Sequence, residues 1–176
     1  MTRKAVGMLV GALALLAAGV GPVYAEEGTV TAAAAWQGRG RAFDLGGGEA
    51  LFLGAFGGTL FIETAQGDLH AARLLCPGTL EAKAGSDTHT SQGRCIITAR
   101  TGDRVFAQWS CTGSVGAGCK GTFRLTGGTG RFQGITGEGD LVLRLVLSEF
   151  VALSKQESEH EMVGLAAWPA LKYRIP

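Results

Sequence analysis

Several features that would assign a function directly are absent from this sequence. It contains no asparagine, so it has no N-glycosylation sequon and its turns must rely on glycine and aspartate. It also has no charge excess: without Arg3 and Lys4, 14 basic side chains stand against 15 acidic ones. A near-neutral chain gives no electrostatic reason to bind nucleic acid or anionic lipid.

Motifs for metal binding and nucleophilic catalysis are absent as well. The four cysteines contain no Cys-x-x-Cys spacing, and His70, His89 and His160 are scattered along the chain. There is no Gly-x-Ser-x-Gly, and no histidine lies near a serine in a recognisable catalytic arrangement. The sequence therefore predicts neither a metal nor a cofactor.

The first 25 residues have the pattern of a secretory signal peptide. Arg3 and Lys4 precede an apolar run over residues 5–20, and Val23-Tyr24-Ala25 supplies small residues at the two positions that a signal peptidase recognises. The apolar run is too short to be a membrane span. We expect a signal peptide over 1–25 and a secreted or periplasmic domain over 26–176, with no membrane span in the mature chain.

The four cysteines predict two disulfides, since an even number in an oxidising compartment is usually oxidised. Three connectivities are possible. A hairpin with its tip at residues 85–86 places Cys76 opposite Cys95, and one centred at residues 115–116 places Cys111 opposite Cys119. This geometry favours the pairs 76–95 and 111–119.

Period-two patterns separated by turn residues predict an all-β domain. The expected strands cover residues 29–36, 39–45, 49–56, 59–64, 69–76, 94–99, 104–111, 119–126 and 140–147. Residues 57–58, a Gly-Gly pair, are expected to form a two-residue hairpin turn. No βαβ spacing is present.

Alternation along the later strands predicts which side chains share a face. One such set is Val105, Ala107, Trp109 and Cys111, and the next is Cys119, Gly121, Phe123 and Leu125. A third set is Leu141, Leu143, Leu145 and Leu147, with Val142 and Val146 on the opposite side. A strand apolar on both faces is usually covered on both, so we expect the C-terminal segment or a second subunit to cover it.

The C-terminal segment divides into a polar part and an apolar part. Residues 155–161 carry three glutamates and a histidine in a run, which is typical of a solvated loop rather than a metal site. Residues 162–175 include Trp168, Pro169 and Tyr173. We expect this stretch to dock on the body as an extension that covers a barrel end or edge.

Glycines are densest over residues 121–139, GTFRLTGGTGRFQGITGEG. A phosphate loop would need Gly-Lys-Ser/Thr after its glycines, and here Lys120 precedes them. The glycines instead favour tight turns with positive φ that let Phe132 tuck under the loop. The segment is therefore expected to be structural.

The predicted strand over residues 119–126, the glycine segment after it and the strand over residues 140–147 together resemble the allene-oxide-cyclase-like and dirigent-like barrels. Secreted bacterial proteins that resemble this family have the same stretch. The resemblance covers residues 102–147. It implies a single antiparallel eight-stranded barrel of the calycin kind with a cavity in its mouth. The plant members of this family act on apolar oxylipin or phenoxy-radical substrates, frequently as trimers or dimers, so a homo-oligomer is one expectation. No catalytic residue carries over.

Three functions are compatible with such a barrel, whose interior holds side chains or one small ligand. The first is a module that binds a small apolar or amphipathic ligand, supported by the aromatic set Trp36, Phe43, Trp109 and Phe123. The second is a structural or interaction protein of the envelope with a filled barrel. The third is an isomerase or cyclase that uses a buried ionisable group. The candidate ligand-binding residues are Trp36, Glu63, Arg73, Trp109, Phe123 and Arg124, of which Glu63, Arg73 and Arg124 are the ionisable candidates.

Overall fold

Eight β-strands joined by short connections form the fold. The computed structural model describes residues 25–114 and 116–176. The strands are β1 (Glu26–Gly46), β2 (Glu49–Ile62), β3 (Ala72–Lys83), β4 (Thr88–Thr98), β5 (Arg104–Ser114), β6 (Gly118–Gly128), β7 (Thr136–Ala152) and β8 (Glu157–Ile175). Each strand pairs antiparallel with the next and β8 pairs with β1, so the sheet closes into a barrel. The predicted all-β class and eight-stranded antiparallel barrel are confirmed. Apart from Ala25, the predicted signal peptide lies outside the described residues.

The first strand is longer than predicted. Residues 29–36 and 39–45 belong to one continuous strand, β1, rather than to two. Gly38 and Gly40 continue the strand because they provide room for aromatic rings of β2. A Cβ added to Gly38 would lie 2.9 Å from Cε1 of Phe56, and one added to Gly40 would lie 2.5 Å from Cζ of Phe52. The sequence prediction ended one strand at residue 36 and began the next at residue 39, although Gly38 in that gap is a packing position within β1.

The predicted hairpin turn at residues 57–58 is wrong. Gly57 and Gly58 lie inside β2, where they pair with Gln37 and Trp36 of β1. A Cβ on Gly58 would lie 3.1 Å from the Trp36 Cα, so the close approach of the two backbones requires glycine there. The turn between β1 and β2 is formed instead around Gly46, Gly47 and Gly48, all with positive φ.

The C-terminal segment is part of the barrel wall. Residues 157–175 form β8, which lies between β7 and β1 and closes the ring. The expectation that residues 162–175 cover a barrel end or edge is therefore corrected. The expected solvated loop over 155–161 shrinks to the turn before Glu157. Backbone pairing with two strands explains why a segment with this many charges is ordered, since its polar side chains alternate with inward ones.

The predicted structural role of the glycine segment agrees with the fold. After β6, a short 3₁₀ turn (Gly130–Phe132) leads into β7, and Phe132 and Ile135 are buried beneath it. Thr129 fixes the turn by donating its N–H to the Arg104 carbonyl at 2.8 Å and accepting the Arg104 N–H on Oγ1 at 2.9 Å. Gly130 has φ +56°. The segment thus closes one end of the barrel.

The predicted faces of β5 and β6 are confirmed. The side chains that were expected to share a face are all buried on the inner side of the barrel, where Gly121 also lies: Val105, Ala107, Trp109, Cys111, Cys119, Phe123 and Leu125. Leu141, Leu143 and Leu145 of β7 line the interior too, whereas the side chain of Leu147 is not among those described. On the outer side Val146 is 67% exposed. The C-terminal segment therefore does not cover this face, because it pairs beside β7 instead of packing over it.

Candidate functional site

The barrel encloses a cavity of about 310 Å³. Its wall consists of inward-facing positions from all eight strands and is mainly apolar. Aromatic rings and leucines supply most of it: Trp36, Phe56, Trp109, Phe123, Trp168 and the leucines at 74, 80, 141, 143 and 145. This volume lies at the lower end of the range of about 300–1,000 Å³ found for small-molecule pockets.

The interior stays open because glycines on neighbouring strands accommodate the largest rings. Trp109 and Gly93 are cross-strand partners, as are Trp36 and Gly164. A Cβ on Gly93 would lie 2.7 Å from Nε1 of Trp109, and one on Gly164 would lie 2.7 Å from Cε2 of Trp36. Each indole therefore packs over a glycine of the adjacent strand. Larger residues in place of these glycines would push the indoles into the lumen.

The two ends of the barrel differ. At one end the lumen is filled by Phe132, Ile135, Val105 and Leu125, all buried. Further along the axis, Phe123 packs edge-to-face on Trp168 with ring centroids 5.2 Å apart. At the other end the cavity wall includes the exposed residues Gly116 and Ser148, which mark its mouth. Among the described residues, the pocket thus opens at the end of the barrel that holds the β5–β6 and β7–β8 turns.

Both disulfides lie on the inner face of the barrel. Disulfides join Cys76 to Cys95 and Cys111 to Cys119, which are the two pairs that the hairpin geometry predicted. One detail differs: Cys111 pairs across the ladder with Gly121 and Cys119 with Gly113, so this bond runs diagonally rather than between opposed residues. The pairing register is two residues away from the one predicted.

The predicted ligand-binding residues separate into two groups. Trp36, Trp109 and Phe123 line the cavity. Glu63, Arg73 and Arg124 are exposed and lie outside its wall. Alternation explains the difference, because Arg73 and Arg124 each stand one position from an inward residue of their strand. Arg124 is bound on the outer surface to Glu138, with Nε 2.8 Å from Oε2. These three residues therefore supply no acid–base group to the lumen.

Phe43, also part of the predicted aromatic set, is only half-buried and is not among the cavity residues. Trp36, Gly38 and Gly40 show that even-numbered positions of β1 face inward, so the odd-numbered Phe43 faces outward. It stands opposite Leu51 of β2 and Glu157 of β8 on the outside of the barrel. Its aromatic ring thus belongs to the outer surface.

Sequence reasoning missed the polar side chains of the cavity. His89 and Ser91 of β4 are buried, and both line the cavity with His160 of β8. Every second residue of a strand faces the same side, so counting back from Cys95 through Gly93 would have placed Ser91 and His89 on the inner face. His160 was hidden by the interpretation of its segment as a loop. Trp168 was missed because residues 162–175 were expected to dock on the barrel and not to form one of its strands.

The cavity is weakly charged. Among its described wall residues there is no aspartate, glutamate, lysine or arginine. Burial lowers the pKa of His89 and of His160 from the ordinary 6.5, because desolvation disfavours the imidazolium form. His160 Nε2 also lies 2.8 Å from Oγ of Ser158. Both imidazoles are therefore neutral at neutral pH, and each can accept or donate a hydrogen bond.

No family model and no curated protein matches this chain. Within the described ranges, no helix has the length and hydropathy to cross a membrane.

Proposed function

We propose that this protein binds a small, largely apolar molecule inside its barrel. The observation that carries the proposal is the cavity of about 310 Å³, open at one end and lined by tryptophans, phenylalanine and leucine. Burying a ligand's apolar surface there would stabilise the complex by about 25 cal/mol per Å² before the costs of association. If the barrel had only a structural role, larger side chains that fill the cavity would increase its stability.

A neutral fluorescent probe tests this function. N-phenylnaphthylamine brightens in apolar surroundings, so a saturable rise in its emission with wild-type protein is expected. Ala82 lies half-buried in the cavity wall, and Ala82→Phe should narrow the pocket and weaken binding by about tenfold. The matched control is Ala55→Phe, since Ala55 is exposed on the outside of β2. Equal binding by both variants would show that the probe binds elsewhere.

We also propose that the protein works outside the cytoplasm, in the periplasm or beyond it. The signal-peptide pattern over residues 1–25 supports this, and the two disulfides are compatible with an oxidising compartment. Intact mass spectrometry of protein from its native host is the test. The expected mass begins at Glu26 and lacks about four hydrogens relative to the reduced chain. A native spectrum of the same sample would reveal a co-purifying ligand.

Membership of the allene-oxide-cyclase-like and dirigent-like barrels is part of the same proposal. It is supported by the eight-stranded antiparallel barrel and by the glycine crossover between β6 and β7. The binding function does not depend on that membership, since it is argued from the cavity. A structure of the protein with its co-purified ligand would test both.

A second candidate function, an interaction protein of the envelope, is favoured by the outside of the barrel. Exposed large apolar side chains of the described residues occur on β1, β2, β3, β7, β8 and the β7–β8 turn, whereas β4, β5 and β6 carry none. We define the apolar outer face as Leu53, Phe61, Val146, Val163 and Leu165. Two ion pairs, Arg39 with Glu161 and Arg41 with Glu157, join β1 to β8 between the members of this face on β2 and those on β8. A face with both charge signs can be complementary to a second copy of itself.

Sedimentation of the purified protein tests this second candidate. Leu165 is 52% exposed, and Leu165→Arg should dissociate an oligomer formed through the apolar outer face. Thr122→Arg on the outer side of β6 is the matched control and should leave the oligomer intact. A wild-type protein that is monomeric at all concentrations would rule this assembly out and would leave the binding function untouched.

A further inference from the structure

The interior contains a set of polar atoms that the apolar character of the cavity does not explain. Four buried side-chain atoms of the described residues have no hydrogen-bond partner: Nε1 of Trp36, Trp109 and Trp168, and Nδ1 of His89. All four residues line the one cavity. Buried polar groups of folded proteins nearly always have partners. Each of the four atoms is covered by the wall, and their collection around a single lumen points to a partner inside it that they would reach by a small rotation of their rings.

The kind of partner follows from what the wall offers. An indole N–H only donates a hydrogen bond, so three of the four atoms require an acceptor. The other polar side chains of the wall, His89, His160, Ser91 and Ser148, each donate as well as accept. No carboxylate or amide side chain of the described wall adds acceptors. The lumen therefore has more donors than acceptors.

The wall also selects against charge. An ion that enters a low-dielectric site loses its hydration and needs an opposite charge or several hydrogen bonds in return. The described wall residues include no aspartate, glutamate, lysine or arginine, and burial keeps the two imidazoles neutral by lowering their pKa. An uncharged ligand meets no such cost.

We propose that the lumen selects uncharged, mainly apolar molecules that carry an accepting oxygen, such as the carbonyl of a ketone, ester, lactone or quinone. This inference rests on the proposed binding function and adds the ligand class. The apolar body occupies the space between the aromatic rings and leucines, and the oxygen accepts a hydrogen bond from an indole N–H or from His89. A ligand that offers only N–H groups or a positive charge finds too few acceptors.

Two probes of the same shape test the role of the oxygen. Methyl naphthyl ketone and isopropenylnaphthalene differ in that a carbonyl oxygen replaces a methylene group. Their affinities are measured at neutral pH by displacement of N-phenylnaphthylamine from wild type and from Trp36→Phe, Trp109→Phe and Trp168→Phe. Phenylalanine keeps an aromatic ring and removes the N–H. The different hydration of the two probes cancels when the ratio of their affinities is compared between proteins.

At least one of the three variants should lower the ketone-to-alkene affinity ratio by about threefold to tenfold, as expected for one lost hydrogen bond. The affinity for the alkene should change little in that variant. Tyr173→Phe is the matched control, because the Tyr173 hydroxyl donates to Glu26 and is not part of the cavity wall. It should leave the ratio at its wild-type value.

A measurement on the wild type makes the test independent of how well the variants fold. The three indole N–H groups give separate side-chain signals in a proton–nitrogen correlation spectrum. Saturation with the ketone should move at least one of them downfield, and saturation with the alkene should not. If neither probe displaces N-phenylnaphthylamine and neither moves a signal, the binding function itself fails.

Two other results overturn only the ligand class. One is binding of both probes with an unchanged ratio in all variants and no indole shift specific to the ketone. The other is binding of naphthoate at neutral pH as tightly as the ketone, because the site would then accept a carboxylate without a matching cation.

Discussion

Trp109 and Gly93 are direct partners in the β4–β5 ladder, and the indole packs over the glycine on the inner face of the barrel. Trp36 and Gly164 repeat this arrangement between β1 and β8. An aromatic ring that covers a cross-strand glycine shields the exposed backbone and is held against the wall. The result is a barrel whose largest side chains border the cavity instead of filling it.

Gly93→Ala tests this relationship. The added methyl group would overlap with Nε1 of Trp109 and with the Pro77 carbonyl, so the ring must move toward the lumen. We expect the free energy of unfolding to fall by about 1–3 kcal/mol, with a changed tryptophan emission spectrum. The control is Gly57→Ala, whose methyl group would have its nearest neighbour 4.0 Å away. Equal stability losses in the two variants would mean that loss of glycine, and not the indole contact, is responsible.

Removal of the disulfides should reveal unequal contributions to stability. Cys76 and Cys95 are 19 residues apart, and Cys111 and Cys119 are 8 apart. Chain entropy gives about 3 kcal/mol for the longer loop and about 2.5 kcal/mol for the shorter one. Urea unfolding of Cys76→Ala/Cys95→Ala and of Cys111→Ala/Cys119→Ala is the measurement. A greater loss for the second pair would indicate that packing inside the barrel outweighs loop closure.

Acid should weaken the fold through the two histidines of the cavity. Burial lowers the pKa of His89 and of His160 in the folded state, so the unfolded chain takes up protons first as the pH falls. Stability is therefore complete above about pH 6.5 and declines as the pH drops below it toward the folded pKa values. His89→Gln should flatten the decline in urea midpoint between about pH 7.5 and about pH 5.5.

The double variant His89→Gln/His160→Gln should flatten that decline further. Glu161 titrates in a different range, because hydrogen bonds from Arg39 and Gln37 lower its pKa from 4.5. Its contribution is lost only below that value as the carboxylate takes up a proton. A wild-type midpoint that stays constant down to about pH 5 would refute the role given to the histidines.

The closed end should depend on Phe132, which is buried beneath the glycine crossover. Phe132→Ala should lower the free energy of unfolding by about 3–5 kcal/mol, because it leaves a void in a packed layer. Phe61→Ala on the apolar outer face is the comparison, since Phe61 is 46% exposed. Thermal unfolding of both variants is the measurement. Similar losses of stability in the two variants would show that the closed end does not depend on the packing of Phe132.

The sequence by itself determined the elements with short-range causes. Alternating side chains predicted the inner faces of β5 and β6, and the hairpin tips predicted the two disulfide pairs. The glycine segment after β6 was correctly interpreted as a structural turn because positive φ is a local requirement. These features depend on neighbours along the chain or within one hairpin, which a sequence displays directly.

Tertiary structure alone decided the rest. Gly38 and Gly58 have the same local pattern as turn glycines, yet they lie in strands because a ring or a backbone from another strand approaches them. Residues 157–175 became the eighth strand since β7 and β1 each left an edge to be paired. Closure of the ring then brought His89, His160 and the three tryptophans around one lumen. Such a grouping depends on contacts between distant segments, and these are settled only when the whole sheet folds.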